Sequence, residues 1–378
     1  MHIAIDAHSV AAQLAGNETY AINLIEALAE IDQTNRYTLY VTKKAAIDRF
    51  DGRWPNFTVR QTLPHTPLVR IPLALSAELR QHPVDVLHVQ YTAPPFPPCP
   101  IVATIHDLSF EHLPETFNRR SRTQLRFTVR HTTGRAAQIL TLSEFSRRDI
   151  IETYGVDPDL IWVTPPAAPP HFAPVTNEIE LRRIRESYGI NTDYLLSLGS
   201  IQPRKNLITL IEAYSCLRRS RPEGKLPRLV LAGKRGWLDR EIFRAAERSD
   251  FQQDILFTGY VPEQDLPALY SGATCFVYPS YFEGFGLPVV EAMQCGVPVI
   301  AGNRTSLPEV TGDAALMFDP FDTRALSEAI TRLVDDPDYR ARLRLKGLKR
   351  AKDFNWKVTA QLTLAAYERA AATAGDHK

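Results

Sequence analysis

Short apolar runs alternate with amphipathic helical stretches along almost the whole chain, and this alternation constrains the fold more than any other feature. Between the first two runs, Ala21, Leu24, Ile25 and Leu28 fall on one face of a helix. Strands that alternate with helices form a parallel sheet covered on both faces. The predicted strands are His2–Asp6, Tyr37–Val41, Phe57–Arg60, Asp85–Val89, Ile101–Ile105, Gln138–Leu142, Ile161–Val163, Leu195–Leu198, Leu229–Ala232, Ile255–Thr258, Thr274–Tyr278 and Pro298–Ala301.

The segment TPPAAPPHFAP, from Thr164 to Pro174, interrupts this alternation. Its five prolines in eleven residues exclude a helix or a central strand. At 378 residues the chain is also long for one compact core. We therefore expect two doubly wound domains of similar size, followed by a terminal helix.

Charge, cysteine content and terminal sequence narrow the class of protein. The formal net charge is +1, so no overall basicity favours nucleic acid as a partner. The four cysteines lack the CxxC spacing of a zinc site. The start, MHIAID, predicts a strand and not a signal peptide, and no apolar run reaches the roughly 20 residues of a membrane span. These features predict a cytoplasmic protein.

Loops that follow strands are where an open parallel sheet binds ligands. The motifs GxGxxG and GxxxxGK[ST] are absent, which removes the usual dinucleotide and P-loop fingerprints. The stretch EGFGLPVVE instead places Glu283 and Glu291 around a predicted helix start at Pro288. Backbone N–H groups of residues 285–287 at that start favour a phosphate, and each carboxylate can accept hydrogen bonds from a sugar diol. The alternative is a tight turn with two solvated glutamates.

A second loop, LGSIQPRKN, places Arg204 and Lys205 immediately before a helix. Two adjacent cations at a helix N-terminus favour a shared anion, and a diphosphate fits. A solvated pair of cations is the alternative.

Two loops in the first half follow strands in the same way. Gly16 and Asn17 precede a helix, where they allow close backbone approach or simple capping. His106 and Asp107 end a strand, so His106 either contacts substrate or is structural.

With these loops in place, the chain resembles the retaining glycosyltransferases of family 4, which have the GT-B fold. The strongest match is the E-x7-E motif from Glu283 to Glu291 within FEGFGLPVVEAMQCGVPVIA. Many members have GIGRY where this chain has GNETY. The other matching segments occur in the family's order: GNETY (16–20), HDLSF (106–110), LSEFSRRDI (142–150), RKN (204–206), LAGKRGW (231–237), TGYVPEQDLPALY (258–270) and LPEVTGDAALMFDP (307–320).

The resemblance implies an α/β protein with two doubly wound, Rossmann-like, parallel-sheet domains that face a cleft. The N-terminal, acceptor-side domain would cover residues 1–170 and the nucleotide-sugar domain residues 175–355. The C-terminal helix, residues 356–378, would cross back to the N-terminal domain.

It also implies roles for individual residues. Arg204 and Lys205 would bind the donor diphosphate, Glu291 the ribose and Glu283 the transferred sugar, while His106 lines the sugar site. Glu283 and His106 would thus be the catalytic residues. The donor-binding set is Gly16, Arg204, Lys205, Val261, Glu283, Phe285, Gly286, Leu287 and Glu291, with Gly16 near the phosphate and Val261 near the base. No metal ligand belongs to the set.

The predicted activity is transfer of a hexose from a nucleotide-diphosphate sugar to a glycan or lipid-linked acceptor in cell-surface polysaccharide synthesis. GDP-mannose is the preferred donor and a UDP-sugar the second choice, with no further cofactor. The alternative is a nucleotide-sugar hydrolase or epimerase of the same fold. A basic helix within residues 119–135, with Arg119, Arg122, Arg126 and Arg130 on one face, is either solvated or contacts an anionic membrane at its inner face.

Overall fold

The structure is a computed structural model, which describes residues 1–12, 16–221 and 226–375. Its contacts divide the chain into two compact units. Unit 1 consists of Met1–Pro166 together with the chain from Asn355 onward, and unit 2 is Ala167–Phe354. Within the described residues, no helix combines the length and the apolar character that crossing a membrane requires.

Unit 1 contains one seven-stranded sheet in which every pair of neighbours is parallel. The strand order is β3-β2-β1-β4-β5-β6-β7. The strands are β1 His2–Asp6, β2 Arg36–Val41, β3 Phe57–Gln61, β4 Val86–Gln90, β5 Ile101–Thr104, β6 Gln138–Thr141 and β7 Ile161–Val163. All seven strands predicted for this half are confirmed.

Helices cover both faces of this sheet. On one face, α4, α6 and α7 contribute Leu79, Val129 and Ile150 to a buried cluster with strand residues. The terminal helix α16 contacts α1 and strands β4, β5 and β6. The helices are α1 Gly16–Ile31, α2 Lys44–Phe50, α3 Pro67–Val69, α4 Ser76–Gln81, α5 Ser109–His112, α6 Arg119–Thr133, α7 Glu144–Tyr154 and α16 Trp356–Gly375, with a π-helical segment at Arg70–Leu75. Residues 376–378 of the predicted terminal helix lie outside the described residues.

Unit 2 contains a second parallel sheet, of six strands in the order β10-β9-β8-β11-β12-β13. The strands are β8 Tyr194–Leu198, β9 Arg228–Ala232, β10 Ile255–Gly259, β11 Cys275–Tyr278, β12 Val299–Gly302 and β13 Ala315–Phe318. The five strands predicted for this half are confirmed. The edge strand β13 was not predicted, because its four residues ALMF carry too little pattern to be separated from the neighbouring loops.

The helices of unit 2 are α8 Glu178–Ser187, α9 Leu207–Ser220, α10 Arg240–Glu247, α11 Leu266–Ser271, α12 Leu287–Gln294, α13 Leu307–Thr311, α14 Thr323–Asp335 and α15 Pro337–Ala351. Its core joins apolar residues of α9 and α14 to the central strands, with Leu210, Tyr214, Ile330 and Leu195 fully buried. The segment from Thr164 to Pro174 contains no helix or strand.

Each strand order has one point at which successive connections leave in opposite directions, between β1 and β4 in unit 1 and between β8 and β11 in unit 2. Loops after such strands diverge, and the crevice between them is where open α/β sheets bind ligands. Both crevices are flanked by residues that the sequence predicted to be functional.

Candidate functional site

In unit 2, the loop after β8 places two cations beside the end of β11. Pro203–Lys205 form a 3-10 turn, and Asn206 adopts the left-handed conformation with φ of 55° before α9 begins. The Asn206 amide donates to the carbonyls of Pro279, at 3.1 Å, and Pro320, at 2.7 Å. Asn206 therefore holds the loop against the segments that follow β11 and β13, and this fixes the position of Arg204 and Lys205.

Both cations bond to one carboxylate. Arg204 Nη1 lies 3.0 Å from Glu283 Oε2, and Lys205 Nζ lies 2.7 Å from Glu283 Oε1. The Glu283 side chain is only 8% exposed, and Arg204 also donates to the Phe282 carbonyl at 2.6 Å. The structure thus brings together three residues that the sequence assigned to donor binding.

The charges at this site decide how Glu283 is ionised. Burial alone would raise the pKa of Glu283, but the neighbouring Arg204 and Lys205 outweigh it and lower that pKa to about 2. Glu283 is therefore a carboxylate at neutral pH. A carboxylate only accepts hydrogen bonds, so it suits the hydroxyl groups of a sugar.

Tyr278, the last residue of β11, completes this cluster and was missed by sequence reasoning. The Tyr278 hydroxyl accepts a 2.5 Å hydrogen bond from Lys205 Nζ. The same Nζ lies 4.7 Å from the centre of the Tyr278 ring. A small cavity in front of β8 is lined by Gly199, Ser200, Lys205 and Tyr278, among others. The position of Tyr278 at the carboxyl end of a buried strand was the signal that could have identified it.

The first turn of α12 supplies the backbone donors that the sequence predicted. Gly286 has a φ of 94°, and the helix begins at Leu287 with Pro288 in its first turn. A Cβ at Gly286 would lie 2.6 Å from Leu307 Cδ2, so this close turn requires glycine. The N–H groups of a first helical turn have no partner within the helix and favour an anion. Phe285 is buried and packs edge-on against Phe354.

Glu291 lies inside α12 and is separate from the cations. Its Oε2 accepts a 2.9 Å hydrogen bond from the Tyr270 hydroxyl, and the residue is 7% exposed. Burial raises the pKa of Glu291 to about 7. The two glutamates of one motif therefore differ at neutral pH: Glu283 is fully ionised, whereas Glu291 is near the midpoint of its titration.

Val261 follows β10 and is buried, whereas the adjacent Tyr260 is 64% exposed. Sequence reasoning did not single out Tyr260.

In unit 1, the ends of β1, β4 and β5 surround His106. His106 Nε2 lies 3.0 Å from Gln90 Oε1, and Tyr20 and Tyr91 pack against the imidazole with ring centres at 4.8 and 5.4 Å. Burial lowers the pKa of His106 to about 4, so the ring is neutral at pH 7. Gly16 is the first residue of α1 and is exposed. Among the residues that the structure describes, none comes within 4 Å of a Cβ built at Gly16, so they impose no need for glycine there.

Comparison with known proteins adds family information to this geometry. The "Glycosyltransferase Family 4" model matches residues 15–171, and "Glycosyl transferases group 1" matches residues 181–350. The O-antigen chain mannosyltransferase B of Escherichia coli is 38% identical over 268 residues, which is 71% of this chain and 70% of that protein. The chain belongs to glycosyltransferase family 4. The predicted family and its glycosyl transfer activity are thus confirmed.

Other relatives of this family 4 chain are longer or more distant. The Escherichia coli serotype-specific mannosyltransferase WbdA is 34% identical over 62% of this chain, but the match spans only 29% of WbdA. Among solved structures, sucrose-phosphate synthase from Thermosynechococcus elongatus has a TM-score of 0.79 at 21% identity, covering 98% of this chain and 99% of that one. Anabaena Alr3699/HepE in complex with UDP-glucose has a TM-score of 0.73 at 18% identity, covering 99% of both chains. These likenesses confirm the predicted two-sheet GT-B fold.

Proposed function

We propose that this chain is a retaining hexosyltransferase that moves mannose from GDP-mannose to a glycan or lipid-linked acceptor in cell-surface polysaccharide synthesis. The observation that carries the proposal is the cluster of Arg204, Lys205 and Glu283 beside the first turn of α12. Two cations and a helix N-terminus suit a diphosphate, and the ionised Glu283 suits sugar hydroxyls. The name of the related O-antigen mannosyltransferase supports mannose as the sugar.

In this reaction the bond between the anomeric carbon and the donor phosphate oxygen breaks, and a bond from the acceptor oxygen to the same carbon forms on the same face. The departing phosphate oxygen takes the acceptor's proton, so the nucleoside diphosphate leaves with it. Negative charge grows on that oxygen as the bond breaks. Arg204 and Lys205 are fixed in advance by Asn206, Tyr278 and Glu283 and would stabilise this charge without reorganisation.

We assign the remaining donor contacts to residues of unit 2 and unit 1 as the family resemblance does. Glu291 would accept hydrogen bonds from the ribose, and the backbone of Phe285, Gly286 and Leu287 would bind the diphosphate. Tyr260 and the Val261 backbone would face the base. In unit 1, His106 would contact the transferred sugar and Gly16 the phosphate.

We further infer that the reaction needs no metal ion and no cofactor besides the nucleotide sugar. The two cations at 204 and 205 have the electrostatic role that Mg²⁺ has in many phosphoryl and glycosyl transfers. Transfer activity should be unchanged by EDTA. Loss of activity in EDTA, with recovery on addition of Mg²⁺ or Mn²⁺, would contradict this inference.

The donor assignment is tested with the purified chain and a panel of nucleotides. We expect GDP-mannose to raise the melting temperature more than UDP-glucose or ADP-glucose, and Arg204→Ala to abolish the increase. If UDP-glucose gives the largest increase, the base is uridine and the choice of GDP-mannose is wrong. If no nucleotide sugar changes the melting temperature, the donor site itself is wrong.

A second assay separates transfer from the alternative activities of the same fold. GDP-mannose is incubated with the protein alone and with candidate acceptors, and both the sugar and the nucleotide products are quantified. A transferase releases nucleotide mainly when acceptor is present. Rapid release of free sugar without acceptor would indicate a hydrolase, and a changed sugar configuration on the nucleotide would indicate an epimerase.

The acceptor-side proposal concerns a surface that we call the basic face: Arg119, Arg120, Phe127 and Arg130 of α6, together with Arg135 just after the helix. These residues are exposed, Phe127 by 74%. Of the other two arginines predicted for this face, Arg122 donates to the Phe110 carbonyl, and Arg126 pairs with Glu111 but remains exposed. Four exposed aliphatic side chains lie in the segment before α4: Leu63, Leu68, Val69 and Leu73.

We propose that the basic face contacts the anionic inner surface of the cytoplasmic membrane, where a lipid-linked acceptor would be found. Each arginine near such a surface contributes about 1 kcal/mol. Helices α4 and α6 pack on the same face of the sheet, so the aliphatic segment and the basic face belong to one side of unit 1. The protein would then work in the cytoplasm as a peripheral membrane enzyme.

Co-sedimentation with liposomes tests this part separately from catalysis. We expect binding to vesicles that contain phosphatidylglycerol, weaker binding at high salt, and little binding to phosphatidylcholine alone. Reversal of Arg119, Arg120 and Arg130 to Glu should abolish it. The matched control is reversal of three exposed arginines of unit 2: Arg182→Glu, Arg240→Glu and Arg248→Glu. Equal losses in both variants would show that only net charge matters and would remove the basis for a specific surface.

A further inference from the structure

A continuous series of hydrogen bonds connects the start of α1 to His106 in unit 1. Ser9 Oγ donates to the Asn17 carbonyl at 3.3 Å, and Gln90 Nε2 donates to Ser9 Oγ at 3.2 Å. Gln90 Oε1 then lies 3.0 Å from His106 Nε2. Ser9, Gln90 and His106 are 1%, 8% and 6% exposed, so water does not compete freely for these bonds.

The Asn17 carbonyl sets the direction of the whole series, because a carbonyl oxygen can only accept. The Ser9 hydroxyl proton points to that carbonyl, which leaves a Ser9 lone pair for an N–H of Gln90. The Gln90 amide nitrogen then faces Ser9 and the amide oxygen faces His106. An amide oxygen only accepts, so Nε2 of His106 must carry the proton.

The surroundings of the ring keep His106 in this one state. Tyr20 presents its edge to the imidazole, with an interplanar angle of 90°, and Tyr91 packs on it at 48°. Burial disfavours the imidazolium. In a neutral imidazole with Nε2 protonated, Nδ1 has a free lone pair.

We propose that Gln90 is a positioning residue that holds His106 as the neutral Nε2–H tautomer, so that Nδ1 accepts a hydrogen bond from a hydroxyl group of the transferred sugar. The tautomer follows from the hydrogen bonds of unit 1 alone. The identity of the hydroxyl-bearing ligand rests on the proposed function. In this role His106 orients the sugar and does not donate a proton during transfer.

NMR of the full chain labelled with ¹⁵N histidine tests the tautomer without any substrate. Long-range spectra distinguish protonated from unprotonated ring nitrogens, and His106→Gln assigns the signal. We expect wild-type His106 at pH 7 to show Nε2 protonated and Nδ1 unprotonated. In Gln90→Leu and in Ser9→Ala both tautomers of His106 should be populated. Gln90→Leu removes the oxygen that accepts from Nε2. Ser9→Ala removes the hydroxyl that fixes which end of the Gln90 amide faces His106.

His88 provides the internal reference for these spectra. It is also buried and neutral, but it bonds to Tyr367 and Thr104 and not to Gln90. Its signals should stay unchanged in both variants. A protonated Nδ1 in wild-type His106 would overturn the proposal. So would a His106 pattern that is the same in wild type, in Gln90→Leu and in Ser9→Ala.

Binding measurements test the role of the tautomer. Gln90→Leu should weaken GDP-mannose binding by up to about tenfold, the scale of one hydrogen bond, and leave GDP binding unchanged because GDP lacks the sugar. Gln33→Leu, a change to an exposed glutamine that follows α1, should alter neither. If the tautomer is as expected but both ligands bind Gln90→Leu normally, the sugar contact is wrong. If neither ligand binds the wild type, the donor assignment fails while the NMR result still decides the tautomer.

Discussion

The Tyr270 hydroxyl donates a 2.9 Å hydrogen bond to Glu291 Oε2 in the interior of unit 2. Both side chains are buried, and among the described residues the Tyr270 hydroxyl is the hydrogen-bond donor to this carboxyl. One hydrogen bond does not compensate for the loss of water, so the proton stays on Glu291 up to a pKa of about 7. The state of this carboxyl group therefore changes within the physiological pH range.

The first prediction is that nucleotide binding depends on the ionisation of Glu291. The carboxylate can accept hydrogen bonds from both ribose hydroxyls, whereas the protonated form has less acceptor capacity. GDP affinity should therefore fall as the pH decreases below about 7. In Glu291→Gln the affinity should be weaker and lack this step, leaving only the ionisation of the nucleotide's own phosphate. Calorimetry from pH 5.5 to 8.5 measures both, and parallel pH profiles would contradict the prediction.

The second prediction applies the same pKa to folding. The pKa of Glu291 in the folded chain, about 7, is above its ordinary value of 4.5. Between pH 4.5 and pH 7 the folded chain therefore keeps a proton that the unfolded chain has released. The resulting stability is fully present below pH 4.5 and is lost as the pH rises through 7. The difference in the free energy of unfolding between Glu291→Gln and wild type should therefore depend on pH. It should favour the variant by up to about 3 kcal/mol more at pH 8 than at pH 4.5. Urea titrations at the two pH values measure this difference.

The third prediction concerns the cations around Glu283. As surface residues, Arg204 and Lys205 would be expected to affect activity alone, but the structure shows that they also compensate a buried charge. Lys205→Met should lower kcat/KM by an amount that corresponds to a loss of about 2–4 kcal/mol of transition-state stabilisation. It should also lower the free energy of unfolding by about 1–3 kcal/mol. Adding Glu283→Gln should restore most of the stability and none of the activity.

This double substitution separates the two effects of Lys205. If Lys205→Met leaves the melting temperature unchanged, Glu283 is not held by the lysine in solution. If Lys205→Met retains wild-type kcat/KM, the lysine does not stabilise the departing diphosphate.

The fourth prediction compares two glycines at candidate phosphate contacts. Gly286→Ala should destabilise unit 2 by about 1–3 kcal/mol, because φ is positive and the new methyl group would overlap Leu307. Gly16→Ala should change stability by less than about 0.5 kcal/mol, since the described residues around Gly16 leave room for the methyl group. If Gly16 contacts the donor phosphate, the same variant should weaken nucleotide binding. Unchanged binding in Gly16→Ala would remove Gly16 from the donor-binding set.

The fifth prediction is acid sensitivity of unit 1. Burial lowers the pKa of His88 to about 3 and that of His106 to about 4, against an ordinary value of 6.5. Stability from these neutral rings is present above pH 6.5 and is lost as the pH falls toward the folded values. For each histidine, the free energy of unfolding should fall by about 1.4 kcal/mol per pH unit between pH 6.5 and its folded pKa. His88→Gln should make the slope shallower, whereas His65→Gln, at an exposed position, should leave it unchanged.

Much of this architecture could be predicted from the sequence because its signals are local. Apolar runs identified twelve of the thirteen strands, and the strand-loop-helix order placed Arg204, Lys205 and Glu283 at one end of a sheet. Their bonding to each other was not predicted, since it depends on the side-by-side position of β8 and β11, which are about 80 residues apart.

The partners that tune these residues are equally non-local. Tyr270 lies on a different helix from Glu291, and Tyr278 precedes the motif that contains Glu283. Gln90 and Ser9 were not singled out because nothing in their flanking residues distinguishes them from ordinary polar loop positions. Burial, which sets the pKa of Glu291 and His106, is a property of the packed unit and cannot be read from either motif alone.

The position of α16 also bears on how the chain folds during synthesis. Tyr367 of this helix bonds to His88 of β4, and Ala360, Ala366 and Ala370 are fully buried. Unit 1 begins to emerge from the ribosome first, but β4, β5 and β6 lack the helix that packs on them until residues 356–375 have been made. Unit 2 is continuous in sequence and can fold before the C-terminal helix of unit 1 has been made. A chain truncated after residue 354 should therefore protect unit 2 from protease and leave unit 1 dependent on chaperones.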